Sequence, residues 1–256
     1  MLSFYKKNDS LGVAWLSIAA GQLKIKESNT LSVLDEIARL QPSEIIAPEG
    51  SVFPEMDQTK IRIQRLPIWN FEEEVARKNL CAHLKVRDLR GFGCENSLSA
   101  ISAAGALLSY AQSTQSEPLS HITAVQVEQD NDFIKLDVAT RKNLEITTTL
   151  QGEISPTLLS TVDKSKSSMG SRWIQHALNH PLFNHNDIRE RHSTIAWLTD
   201  QKNSATLSSM QQIFGSISDI ERINSRITLR SARPRDLSGL RESLLLLPKL
   251  KASIKA

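Results

Sequence analysis

In the first half of the chain, short apolar runs alternate with polar breaks. Residues 11–18 are rich in strand formers, Gly21 supplies a turn, and Leu23 and Ile25 alternate with Lys24 and Lys26 as in a half-buried strand, so this stretch predicts a β-hairpin. Leu31, Leu34, Ile37, Ala38 and Leu40 fall at helical spacing, and Pro42 ends that helix before a short strand at Ile45 and Ile46. A strand is predicted over residues 61–66. After Pro67 an amphipathic helix follows over 71–80, and its leading Glu72, Glu73 and Glu74 suit the positive end of the helix dipole. Gly91 and Gly93 mark a tight turn. Asn96 or Ser97 then caps a helix reaching Ser113, whose Ala100, Ala103, Ala104 and Leu107 form a face able to lie close on a sheet. Beyond Pro118, residues 122–127 and 133–138 read as strands around a polar loop at 129–132.

From about Ala139 the period is helical throughout. Helices are predicted over 157–162, 169–178 (ended by Pro181), 188–198 (capped near Asn186), 206–214, 217–230 and 237–247 (ended by Pro248). Residues 164–168, KSKSS, read as a flexible loop, and the rhythm changes between 128 and 136. Two domains are therefore expected, an α/β domain over 1–130 and an all-helical one over 131–256. Trp15, Trp69, Trp173 and Trp197 all lie in apolar patterns and are expected in the core.

Composition fits this picture: of 256 residues, 40% are hydrophobic and 23% charged, with a net charge of +3, the profile of a folded globular chain rather than a disordered or fibrous one. Cys81 and Cys94 form no C-x-x-C pair, which points to a reduced, cytoplasmic setting without a disulfide framework. The most apolar run, 100–111, is too short to span a bilayer and is broken by Ser102, Gly105 and Ser109. Charge is unevenly spread, with nine basic and two acidic residues from Arg222 onward, +7, against −4 over the rest. Such a bias can mark a surface that meets nucleic acid.

Candidate chemistry is sparse. No phosphate-loop motif occurs, and Gly91-Phe92-Gly93 continues as Cys94-Glu95-Asn96 rather than as a dinucleotide fingerprint. His176 and His180 share a helix face at metal-ligand spacing, but the position where a zinc protease carries glutamate is Ala177. An open sheet that begins with a hairpin also suggests an RNase H-like nuclease, which needs a carboxylate on its first strand; residues 11–18 contain none, Ser17 standing in the slot. Arg222, Arg226 and Arg230 recur every four residues and form a candidate basic surface for phosphates, against the simpler reading that they pair with acids of neighbouring helices.

Several segments, in order, resemble one family. The run LGVAWLSIAAG at 11–21, RDLRGFGCEN at 87–96, LDVATRKNLEI at 136–146, Met169-Gly170-Ser171-Arg172, and RSARPRDL at 230–237 are similar to the connector domain and the helical core of MutS, the bacterial mismatch-repair family. The resemblance implies an α/β RNase H-like connector domain followed by an all-α, partial core or lever domain. It implies a central fragment with no catalysis and no cofactor of its own, whose full-length parent binds mismatched DNA, hydrolyses ATP with Mg²⁺, forms a homodimer and docks MutL. DNA would be met through domains outside this chain, since the family's mismatch-reading Phe-x-Glu has no counterpart here and Phe71-Glu72-Glu73 matches only by letters. The family usually has proline before Met169 and tryptophan near Ala177, where this chain has Ser168 and Ala177; Trp173, one helical turn earlier, is expected to fill the missing ring's space. A core continued by later helices would also leave apolar surface uncovered.

Overall fold

The computed structural model describes residues 1–28, 32–51, 53, 56, 59–115, 119–129 and 132–255. Leu31, Pro118, the centre of the predicted loop at 130–131 and Ala256 lie outside the described residues. The chain divides into two compact units, Met1–Asp130 with Thr228–Arg230, and Asn131–Ile227 with Ser231–Ala256.

The first unit is built on β1 (Leu2–Lys7), β2 (Ser10–Ser17), β3 (Gln22–Ser28), β4 (Glu44–Pro48), β5 (Arg62–Leu66) and β6 (Val125–Val127), in the spatial order β5-β4-β1-β2-β3-β6. The first three form an antiparallel meander, β4 adds parallel to β1, β5 to β4, and β6 to β3. This is the RNase H-like arrangement with one further edge strand. The predicted hairpin is β2 and β3, in the register Ala14 to Ile25 and Leu16 to Leu23. β1 was not expected: LSFYKK runs out into lysines after a few residues, so alternation is too short to register, yet Leu2 and Phe4 are fully buried.

Helices cover both faces of the sheet. Leu2, Phe4, Leu11 and Val13 pack with Val33 and Ile37 of α1 (Val33–Leu40), while Ala14, Leu16, Leu23 and Ile25 pack beneath α2 (Glu73–Leu84) and α3 (Leu98–Thr114). The expected small-residue face of α3 lies so close that a Cβ on Gly12 of β2 would stand 2.0 Å from the Ser99 carbonyl carbon, and one on Gly105 would stand 2.4 Å from Cα of Ala76 in α2. Glu27 of β3 accepts from the Ala100 amide at 2.9 Å, placing a carboxylate at the positive end of α3. α2 begins at Glu73, after a 3₁₀ turn at Ile68–Phe71, rather than at Phe71. Gly93, at φ 73°, makes the left-handed turn that leads to α3, as its motif suggested.

The second unit contains α4 (Val138–Asn143), α5 (Leu158–Val162), α6 (Ser168–Asn179), α7 (His185–Thr199), α8 (Ser204–Ser216), α9 (Ile220–Thr228) and α10 (Pro234–Lys255). The strand expected at 133–138 is absent. Phe133 makes one isolated bridge to Leu182 and sets its ring edge-on to His180 at 5.3 Å, and Asp137 instead caps α4 by accepting from the Thr140 amide. α7 is capped by Asn184, which accepts from the Asn186 amide, and α9 starts at Ile220 and ends at Thr228 rather than filling 217–230. Pro248 does not end its helix; α10 runs on through it to Lys255. The ring removes one backbone donor and crowds the Leu244 carbonyl, but Leu244, Leu245 and Leu247 are exposed on this stretch, where water can reach the freed carbonyl.

Three of the four tryptophans also depart from the core expected for them: Trp69 is 57%, Trp173 56% and Trp197 47% exposed, and only Trp15 is partly buried against the α1 side of the sheet. Among the described residues of the second unit, Ile146 and Ile223 are the only buried apolar side chains, while Leu144, Ile154, Phe183, Ile195 and Leu245 stand open to solvent. Apolar surface is thus left open to solvent across this unit. No helix of the described residues is long and apolar enough to cross a membrane.

Candidate functional site

Each segment singled out in the helical half places a charged residue at a joint between helix ends: Arg141, Arg172 and Asp236. Arg141, buried in α4, donates to the Leu136 carbonyl, and its Nη1 and Nη2 donate to the side chain and the carbonyl of Asn179 at 2.9 Å each, putting a cation on the negative C-terminus of α6. Arg172, the arginine of Met-Gly-Ser-Arg, forks onto Asp219 at 2.7 and 2.8 Å and reaches Glu221 at 2.6 Å. Asp219 in turn accepts from the Arg222 amide and so caps α9. Arg226 donates two bonds to Asp236, at 3.0 and 2.8 Å, and Asp236 accepts from the Arg233 amide at the start of α10, with Pro234 in the first helical position. Charge-assisted contacts thus run from α4 to α6, α6 to α9, and α9 to α10.

Their electrostatics follow from these contacts. The hydrogen bonds from Arg172 hold the Asp219 carboxyl below its ordinary value of 3.8, against the opposing effect of burial, and Arg172 is held above its own ordinary value. A carboxyl depressed in the folded state adds stability that is complete above its unfolded pKa and disappears as pH falls through the folded one. The second unit is therefore expected to loosen below about pH 4, and Asp219→Asn should flatten that part of the acid-unfolding curve followed by circular dichroism.

The candidate basic surface is divided. Arg222 is 63% exposed in its side chain and lies 3.5 Å from Asp219, Arg226 is committed to Asp236, and Arg230 follows the end of α9 in a left-handed turn at φ 50°. The three do not form one helix face. His176 and His180 stack at 4.0 Å, and the His180 ring meets the His176 carbonyl at 2.9 Å. Among the described residues no group of three or more His, Cys, Asp or Glu is placed to hold a metal ion. In the first unit the true opening strand, β1, also lacks a carboxylate.

A groove of about 620 Å³ opens in the second unit, floored by Met169, Trp173, Phe214, Ile217, Ile220 and Leu250 and edged by Lys164 and Lys166. Its polar edge, the KSKSS segment, is tied down rather than loose: Asp163 accepts from the Ser165 amide and the Ser171 hydroxyl, and Ser167 caps α6 at Gly170. The Arg191 guanidinium lies 5.2 Å from the centre of the Trp173 ring. Because that ring lines an open groove instead of filling a core vacancy, Trp173→Ala should cost about 2 kcal/mol in urea unfolding, not the 3–5 kcal/mol of a fully buried tryptophan. The chain's departure from the usual tryptophan near Ala177 is therefore not repaired from Trp173.

The sequence shows these joints only as single residues, since their partners stand apart along the chain: Asn179 is 38 residues from Arg141, Asp219 is 47 from Arg172, and Asp236 lies across a turn from Arg226. Two family models match the chain in tandem: MutS domain II over residues 1–123 and MutS domain III over residues 139–256.

Proposed function

Since the chain belongs to the MutS family of DNA mismatch-repair proteins, carrying its domains II and III in sequence, we propose that it transmits between mismatch recognition and the ATPase of the whole protein. The observation that carries this reading is the run of charge-assisted joints. Helices fixed at their ends by bidentate arginines move as linked rods, so a displacement at α4 is passed to α6, α9 and α10 instead of being absorbed in the loops between them. MutS proteins are in general DNA-dependent ATPases. In this reading ATP and Mg²⁺ are bound elsewhere in a homodimeric parent, the apolar surface of the helical unit is covered by its further helices, and the α/β unit is the docking surface for MutL. The chain itself carries no catalysis and works in the cytoplasm.

The test is made in the full-length protein. Arg226→Met, which opens the α9–α10 joint, should lower the stimulation of ATP hydrolysis by mismatched DNA while basal hydrolysis is kept; unchanged stimulation would contradict the transmission role. Two other readings have their own readouts. An RNase H-like nuclease would cleave DNA with Mg²⁺ or Mn²⁺, and the lack of a carboxylate on β1 speaks against it. A phosphate-binding surface at Arg222, Arg226 and Arg230 would give affinity that drops steeply with salt and is lost when all three are neutralised.

A further inference from the structure

Four charges of opposite sign are buried together where the chain leaves the α/β unit. Lys26 of β3 lies 3.6 Å from Glu36 of α1 and 3.6 Å from Glu128, the residue after β6. Arg39 of α1 binds both carboxylates, with Nε donating to Glu36 at 2.9 Å and the two terminal nitrogens donating to Glu128 at 3.1 and 2.9 Å. All four side chains are between 7% and 9% exposed. The Arg39 guanidinium also lies over the Trp15 ring at 5.2 Å. Burial alone would lower the Arg39 pKa, but the two carboxylates outweigh it and raise the value, as befits a cation held between two anions.

β6 has only three residues and pairs parallel to the edge strand β3. Leu119 and Ile122 ahead of it are sunk in the core, and Val125 is buried too, but Gln126 and Val127 are not. Val127 is partly buried against the same core, so past Val125 the strand is held by that contact, by its ladder, by the Glu128 amide donating to the Ile25 carbonyl at 2.9 Å, and by the Glu128 carboxylate. Apolar contacts weaken gradually as a strand lifts. A buried charge cluster does not, because withdrawing Glu128 takes a shared anion from both Lys26 and Arg39.

We propose that this cluster is a latch on the exit strand. With the four charges paired, β6 stays on β3. When Glu128 leaves, Val125 to Glu128 lift together and add up to about 13 Å of released chain to the connection, four residues at ~3.3 Å each. The exit strand thus has a paired and a released state within one fold.

Hydrogen exchange of the whole chain, followed by mass spectrometry, tests this. In the wild-type chain the amides of Gln126 and Glu128, which face β3, should exchange through a shared opening at least ten-fold faster than that of Lys24, which faces β2. In Glu128→Gln, which keeps the shape but removes the charge, exchange over 122–129 should rise a further ten-fold or more, with 10–17 and 98–114 unchanged. Exchange of β6 at the rate of β3 in the wild type, or an equal rise over all three regions in the variant, would overturn the latch. If Glu128→Gln does not fold, the wild-type comparison still decides.

Discussion

Replacing Arg39 with methionine is expected to lower the stability of the α/β unit by about 3–5 kcal/mol, the usual cost of removing one partner from a buried ion pair. The reason is charge balance. Glu36 and Glu128 would be left 3.6 Å from a single cation, Lys26, with all three side chains under 10% exposed. The cost reflects two carboxylates left to share one cation, not the net worth of the cluster, because taking four charges out of water already consumes most of their mutual attraction. A simultaneous apolar replacement of Lys26, Glu36, Arg39 and Glu128 should therefore be far milder than the single change. Urea unfolding of both variants checks this, and an Arg39→Met cost below about 1 kcal/mol, the range of an exposed pair, would show that water reaches the cluster.

The second large effect is at Gly12. A valine there would drive its Cβ to 2.0 Å from the carbonyl carbon of Ser99 and 2.3 Å from the Ala100 nitrogen, both backbone atoms in the first turn of α3. A flexible side chain could swing aside, but a helix backbone can yield only by lifting α3 from the sheet, which opens the larger of the two cores. Gly12→Val should cost about 3 kcal/mol or more and reduce soluble yield. Gly91→Ala is the matched control: nothing lies within 4 Å of its added Cβ, so its stability should stay within about 0.5 kcal/mol of the parent. Equal tolerance at both positions would mean that α3 does not sit against β2 as described.

These two sites also mark what could be read from the residues alone. Period and punctuation sufficed for the β2–β3 hairpin and for α3 with its small-residue face, because both follow from side chains close in sequence. Gly12 could be read as part of an apolar strand, but not as the point where another backbone touches it. Lys26 shows the limit most clearly. Alternation with Leu23 and Ile25 assigns it correctly to the opposite face of β3, but only the structure shows that α1 covers that face and that its partners come from residues 36, 39 and 128. Likewise, apolar neighbours in sequence suggested that Trp69, Trp173 and Trp197 are core residues, whereas burial depends on what lies across from them. Pro248 was misread because the rule that proline ends a helix assumes that the freed carbonyl finds no water, and the exposed surface of α10 supplies it.

The most direct test of the transmission account is a fluorescence-anisotropy titration of this chain against labelled duplexes with and without a single G·T mismatch, at low and at physiological salt. The account predicts weak binding, equal for the two duplexes and lost as salt rises. A clear preference for the mismatched duplex at physiological salt would place recognition within these 256 residues and contradict it.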